Sequence, residues 1–108
     1  MNTARLVALP LITLAVSACD GQQEPGSNST NGMELFNYYC AGCHKESGNG
    51  SFLEGIPANR TTKMTEAQVT QLILHGKTQM PDMPSFSQLS EQQARNIAQY
   101  LLRKLAVK

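Results

Sequence analysis

Long apolar runs, nucleophile constellations and surplus charge are what this 108-residue chain has little of. Phosphate-cradling glycine loops, paired-carboxylate motifs and a serine–histidine–acid set are absent, so ordinary hydrolase and phosphoryl-transfer chemistry has no seat here. No segment alternates apolar and polar residues as a half-buried strand would. Formal net charge is +1. Without Arg5 the rest carries eight basic and eight acidic side chains, and no basic stripe points to nucleic acid. Histidine occurs twice and cysteine three times, which limits any metal or redox site to very few residues.

Those few are concentrated. Cys40-Ala41-Gly42-Cys43-His44 joins two cysteines spaced by two residues to an immediate histidine, the spacing of a covalent haem attachment site. On a helix the cysteines lie one turn apart on one face, within reach of the two vinyl groups of a porphyrin. His44 then offers its imidazole as the proximal iron ligand. The same Cys-x-x-Cys could serve a thiol redox centre or half a zinc site. Only Cys19 and His75 remain as a second ligand pair, and no βαβ pattern surrounds the motif.

The N-terminus reads as targeting rather than fold. Arg5, an apolar stretch from Leu6 to Val16 broken by Pro10 and Thr13, and small residues before Cys19 form a secretory signal, too short for a membrane span. Val16-Ser17-Ala18-Cys19 resembles a lipoprotein signal, cleaved before a cysteine that is then acylated. Residues 1–18 are thus a signal peptide. With two cysteines on haem and Cys19 on lipid, the odd count is accounted for. Asp20 leans toward retention in the inner membrane, by resemblance to enterobacterial lipoproteins. Residues 19–30 contain no large apolar side chain and read as a lipid-anchored flexible linker. Residues 31–108 form the domain.

Three capped segments organise that domain. Asn31 with Glu34, Thr65 with Gln68 and Ser90 with Gln93 each have the capping-box spacing. Gly32, Leu35, Phe36, Tyr39 and Cys43 make the first stripe. Val69, Leu72 and Ile73 make the second, ending at His75-Gly76. Ala94, Ile97, Ala98, Leu101, Leu102 and Leu105 make the third. Gly48-Asn49-Gly50 opens a loop after the haem motif. The expected fold is all-α, three main helices around one haem.

Taken together these pieces resemble a class I cytochrome c domain of small bacterial type. The resemblance runs from Gly32 and the aromatic Phe36, through Cys40–His44 and Leu74-His75-Gly76, to Met83-Pro84-Ser85-Phe86 before Leu89-Ser90. Tyr100 matches the aromatic packed where the terminal helices cross. The resemblance implies one haem c on Cys40 and Cys43, His44 and Met83 as axial ligands, and the Pro57 carbonyl as acceptor for His44. Met80, also followed by proline, is the runner-up sixth ligand; His75 or an open site are further options. Arg60 is a candidate for pairing with a propionate.

The function implied is one-electron transfer on the periplasmic side of the inner membrane, with no substrate turnover. A soluble periplasmic form and an outer-membrane lipoprotein are alternatives. Transient redox proteins would dock at the haem edge. No nucleic acid or small-molecule substrate is expected. A haem-based ligand sensor and a fixed subunit of a larger oxidoreductase are the alternatives to a mobile carrier.

Overall fold

A computed structural model describes residues 24–107; the signal peptide, Cys19 and the first part of the linker lie outside them. Helix α1 spans Gly32–Tyr39, α2 Ala41–His44, α3 Glu66–His75 and α4 Glu91–Tyr100. Two short 3-10 turns, Phe52–Glu54 and Asn59–Thr61, lie in the connection from α2 to α3. Among the described residues strand pairing is limited to an isolated bridge between Ser51 and Ile56. The all-α reading is correct.

The capping grammar reports faithfully at two of three helix starts. Thr65 Oγ1 accepts from Gln68 N while Gln68 Oε1 accepts from Thr65 N. Ser90 and Gln93 repeat the reciprocal pair. At α1 the box is incomplete. Asn31 Oδ1 takes the amides of Met33 and Glu34, but Glu34 accepts instead from Ser29 Oγ.

The core forms where α1 and α3 pack on α4. Leu35, Phe36, Val69, Ile73, Ala94, Ile97, Ala98 and Leu101 are all buried, and fully burying one such larger aliphatic or aromatic side chain contributes about 1.5–3 kcal/mol. The α1–α4 crossing depends on Gly32. A β-carbon there would run into the carbonyl of Asn96 and come within 3.2 Å of Tyr100 Cβ. Tyr100 stacks obliquely on Phe36 with ring centroids 5.5 Å apart. Beyond Tyr100 the chain does not continue as α-helix: Leu101–Leu105 is a π-turn, closed by Ala106 N donating to Leu101 O.

Within the segment expected to be linker, residues 27–30 are hydrogen-bonded to α4. Gln93 Nε2 donates to the carbonyls of Ser27 and Ser29, and Asn96 Nδ2 donates to that of Thr30. The same glutamine amide therefore caps α4 with its oxygen and clasps the incoming chain with its nitrogen.

Candidate functional site

The cysteine motif does not lie on one continuous helix. α1 ends at Tyr39, and Cys40 has φ −115° as it turns the chain into α2. A helical turn nonetheless joins the two cysteines, because Cys43 N and His44 N both donate to Cys40 O. Cys40 is buried and Cys43 exposed, and both are free thiols. Burial, reinforced by Cys43, pushes the Cys40 thiol up to about 12. A zinc site finds no support: among the described residues no group of three His, Cys, Asp or Glu side chains could hold a metal ion.

Past His44 the chain reverses sharply. Lys45 adopts φ +65°, a left-handed conformation uncommon for a residue with a side chain. Gly50 N then donates to His44 O. Gly50 has φ +66°, and a β-carbon there would sit 2.5 Å from both the Ile56 and Pro57 carbonyls. Glycine is what lets the returning strand pass this close. That approach leaves Pro57 O 3.1 Å from His44 Nδ1. A carbonyl can only accept, so in this hydrogen bond Nδ1 is the donor, and in the neutral ring that leaves Nε2 as the nitrogen able to ligate a metal. Gly50 was legible in the sequence only as a loop residue; its close-approach role needs the returning Ile56-Pro57 backbone.

Arg60 knits the same loop. Its backbone N donates to Gly48 O, its carbonyl accepts from Val107 N, and Nη1 donates to Asn49 Oδ1. Its buried Nε has no partner, and neither has the buried Oδ1 of Asn59. Unpaired buried polar atoms are costly in a native fold. A donor left open on a guanidinium is what a carboxylate-bearing cofactor would satisfy.

Met80 and Met83 come together elsewhere. With His75, Gly76 and the intervening residues they line a cavity of about 500 Å³. Met80 N donates to Lys77 O and Met83 N to Met80 O, so the segment is a succession of tight turns. Its far end is fixed: Phe86 N donates to Ile73 O at 2.7 Å, and the Phe86 ring meets Tyr39 edge-on at 5.7 Å. His75 closes α3, as expected, and is exposed. Cys40, Cys43, His44 and Pro57 thus form one cluster, Arg60 joins its loop, and the two methionines share a second cluster with His75.

The family described as cytochrome c oxidase, cbb3-type, subunit III matches residues 27–101. The chain belongs to that family. It is a c-type cytochrome domain, and its cofactor is covalently bound haem c, with Cys40 and Cys43 spaced for the thioether links. The match begins at the first residue clasped by Gln93 and covers all four helices. No curated protein matches the chain. The residues present fit the group: two free thiols one turn apart, an imidazole held through Nδ1, two methionines lining a separate cavity and an unsatisfied guanidinium N–H. The bound haem supplies reversible one-electron chemistry at iron.

Proposed function

We propose that this chain is a membrane-tethered, mono-haem electron carrier facing the periplasm, with His44 and Met83 as axial ligands. The observation that carries the reading is the His44 Nδ1–Pro57 O contact at 3.1 Å. It fixes the tautomer and ring orientation and raises the ligand's basicity. A thioether on the opposite side gives an iron that changes oxidation state with little rearrangement, and Met/His ligation raises the potential.

Met83 is the preferred sulfur because Phe86 and Leu89, both anchored, follow it within one short loop. Met80 sits earlier in the turn, closer to the end of α3. Arg60 is assigned to a haem propionate through its open Nε. Cys19 carries the lipid anchor, after cleavage of residues 1–18, and the tether runs from there to the Gln93 clasp. Haem c domains are typically extracytoplasmic, which suits that anchor. Among the described residues no helix is long and apolar enough to cross a membrane. Redox partners dock transiently at the exposed haem edge, through a contact small enough to release quickly.

The family description favours a second reading, a subunit held within an oxidase complex. Its electron-transfer chemistry would be the same, but its partner would be permanent.

Absorption spectra of the purified ferric and ferrous protein, with and without carbon monoxide, test the proposal. A closed His/Met site gives a ferric sulfur–iron charge-transfer band and no response to carbon monoxide. Ready carbon monoxide binding would replace the carrier with a ligand sensor.

A further inference from the structure

Phe52 and Leu53 are each 95% exposed, side by side at the tip of the loop that returns from His44 to Pro57. Isolated exposed apolar residues are ordinary, but two adjacent large ones with almost no intramolecular contact call for a partner. The tip is built rather than loose. Ser51 and Ile56 exchange both backbone hydrogen bonds at 2.9 Å, Glu54 N donates to Ser51 O, and Gly55 N to Phe52 O. Gly55 closes the turn at φ +72°.

From this we infer that the Phe52–Leu53 tip is a shallow membrane-insertion wedge for a neutral lipid surface. Three features select that occupant. First, the base of the tip is closed by the Ser51–Ile56 exchange and Phe52 O accepts from Gly55 N, which lowers the cost of bringing these groups to an apolar phase. Second, a Phe–Leu pair offers roughly 350 Å², well under the about 800 Å² per partner of a stable protein interface. A convex tip of that size needs a matching socket on a protein but none in a bilayer. Third, residues 46–58 contain Glu46 and Glu54 and no basic side chain, so attraction to anionic headgroups is not the driving force. Seated this way, the tip would hold the His44 end of the domain against the bilayer. The inference deepens the membrane-facing part of the proposed function, and its test omits the lipid anchor so that the two can fail separately.

The full mature chain is exported behind a cleavable signal, haem-loaded and carrying Cys19→Ser. It is then floated with phosphatidylcholine vesicles. The bound fraction should fall about ten-fold or more when Phe52→Ser and Leu53→Ser are combined, given the apolar area removed. Phe52→Trp, which keeps the wedge apolar, should retain binding. Adding phosphatidylglycerol should not strengthen it. Binding unchanged by the double serine substitution, or absent in the parent, would overturn the inference. So would binding that grows with anionic lipid and vanishes in salt. A double variant with an altered haem spectrum would mean that the pair covers the haem instead. Concentration-dependent self-association abolished by that variant would assign the tip to a second copy of the chain.

Discussion

Leu35, Phe36, Ala94, Ile97 and Ala98 are almost wholly buried against one another, while Phe52 and Leu53, in the loop just past the haem motif, touch almost nothing. In the helical frame Gln93 is buried yet makes a cap and two clasping bonds with one amide, and Asn37 Oδ1 on α1 is buried without a partner. The loop side leaves more open. Arg60 Nε and Asn59 Oδ1 are buried without partners, and both methionines line an open cavity. The difference teaches that one half of this small domain is packed for itself and the other is shaped around groups supplied from outside. A chain this short buries only a marginal core alone, so the guest haem belongs in the stability account as well as in the function.

Removing the guest is the strongest way to break the comparison. Cys40→Ala combined with Cys43→Ala should abolish covalent haem, read as loss of the haem increment in the intact mass and of the c-type spectrum. Retention of covalent haem by that variant would contradict the attachment site.

Gly32→Ala attacks the frame instead. Its new methyl meets the Asn96 carbonyl, and overpacking of this kind costs about 1–3 kcal/mol. Chemical denaturation should show the loss while the haem spectrum of the folded protein stays unchanged. Gln93→Glu should cost about 1–2 kcal/mol. The carboxylate can still accept from Ser90 N but cannot donate to Ser27 O and Ser29 O. Amide exchange should quicken first near residues 27–30; an undisturbed segment there would mean the clasp contributes nothing. Cys19→Ser should change neither stability nor spectrum, yet loosen membrane attachment, and combining it with Phe52→Ser and Leu53→Ser should leave the protein in the soluble fraction. A triple variant that stayed membrane-bound as tightly as the parent would count against the lipid anchor.

Local devices were the legible part of the fold. Thr65–Gln68 and Ser90–Gln93 are three residues apart, and their side chains meet whatever the rest of the chain does. The apolar stripes likewise mark Phe36, Ile73 and Ile97 as core before any tertiary information is added. Most of what escaped depends on distant partners. The Gln93 clasp joins residues 64 and 66 positions apart, so a polar, glycine-rich segment read as free linker is partly docked. The bend at Cys40 and the π-turn at Leu101–Leu105 interrupt patterns that look continuous in sequence. At the site, Cys40, Cys43 and His44 were evident from spacing. The approach of Pro57 to His44 rests on Gly50, whose tolerance for close backbone contact has no sequence pattern of its own. The exposure of Phe52 and Leu53 had no signal, because apolar composition alone does not say which residues the core leaves uncovered.

The account's central claim is that the loop half closes over the iron with Met83 opposite His44. Carbon monoxide binding to the ferrous forms of Met83→Ala and Met80→Ala tests it most directly. Met83→Ala should bind carbon monoxide, lose the ferric sulfur–iron band and show a lowered reduction potential, while Met80→Ala should match the parent. Carbon monoxide binding by Met80→Ala alone, with Met83→Ala unchanged, would contradict the claim.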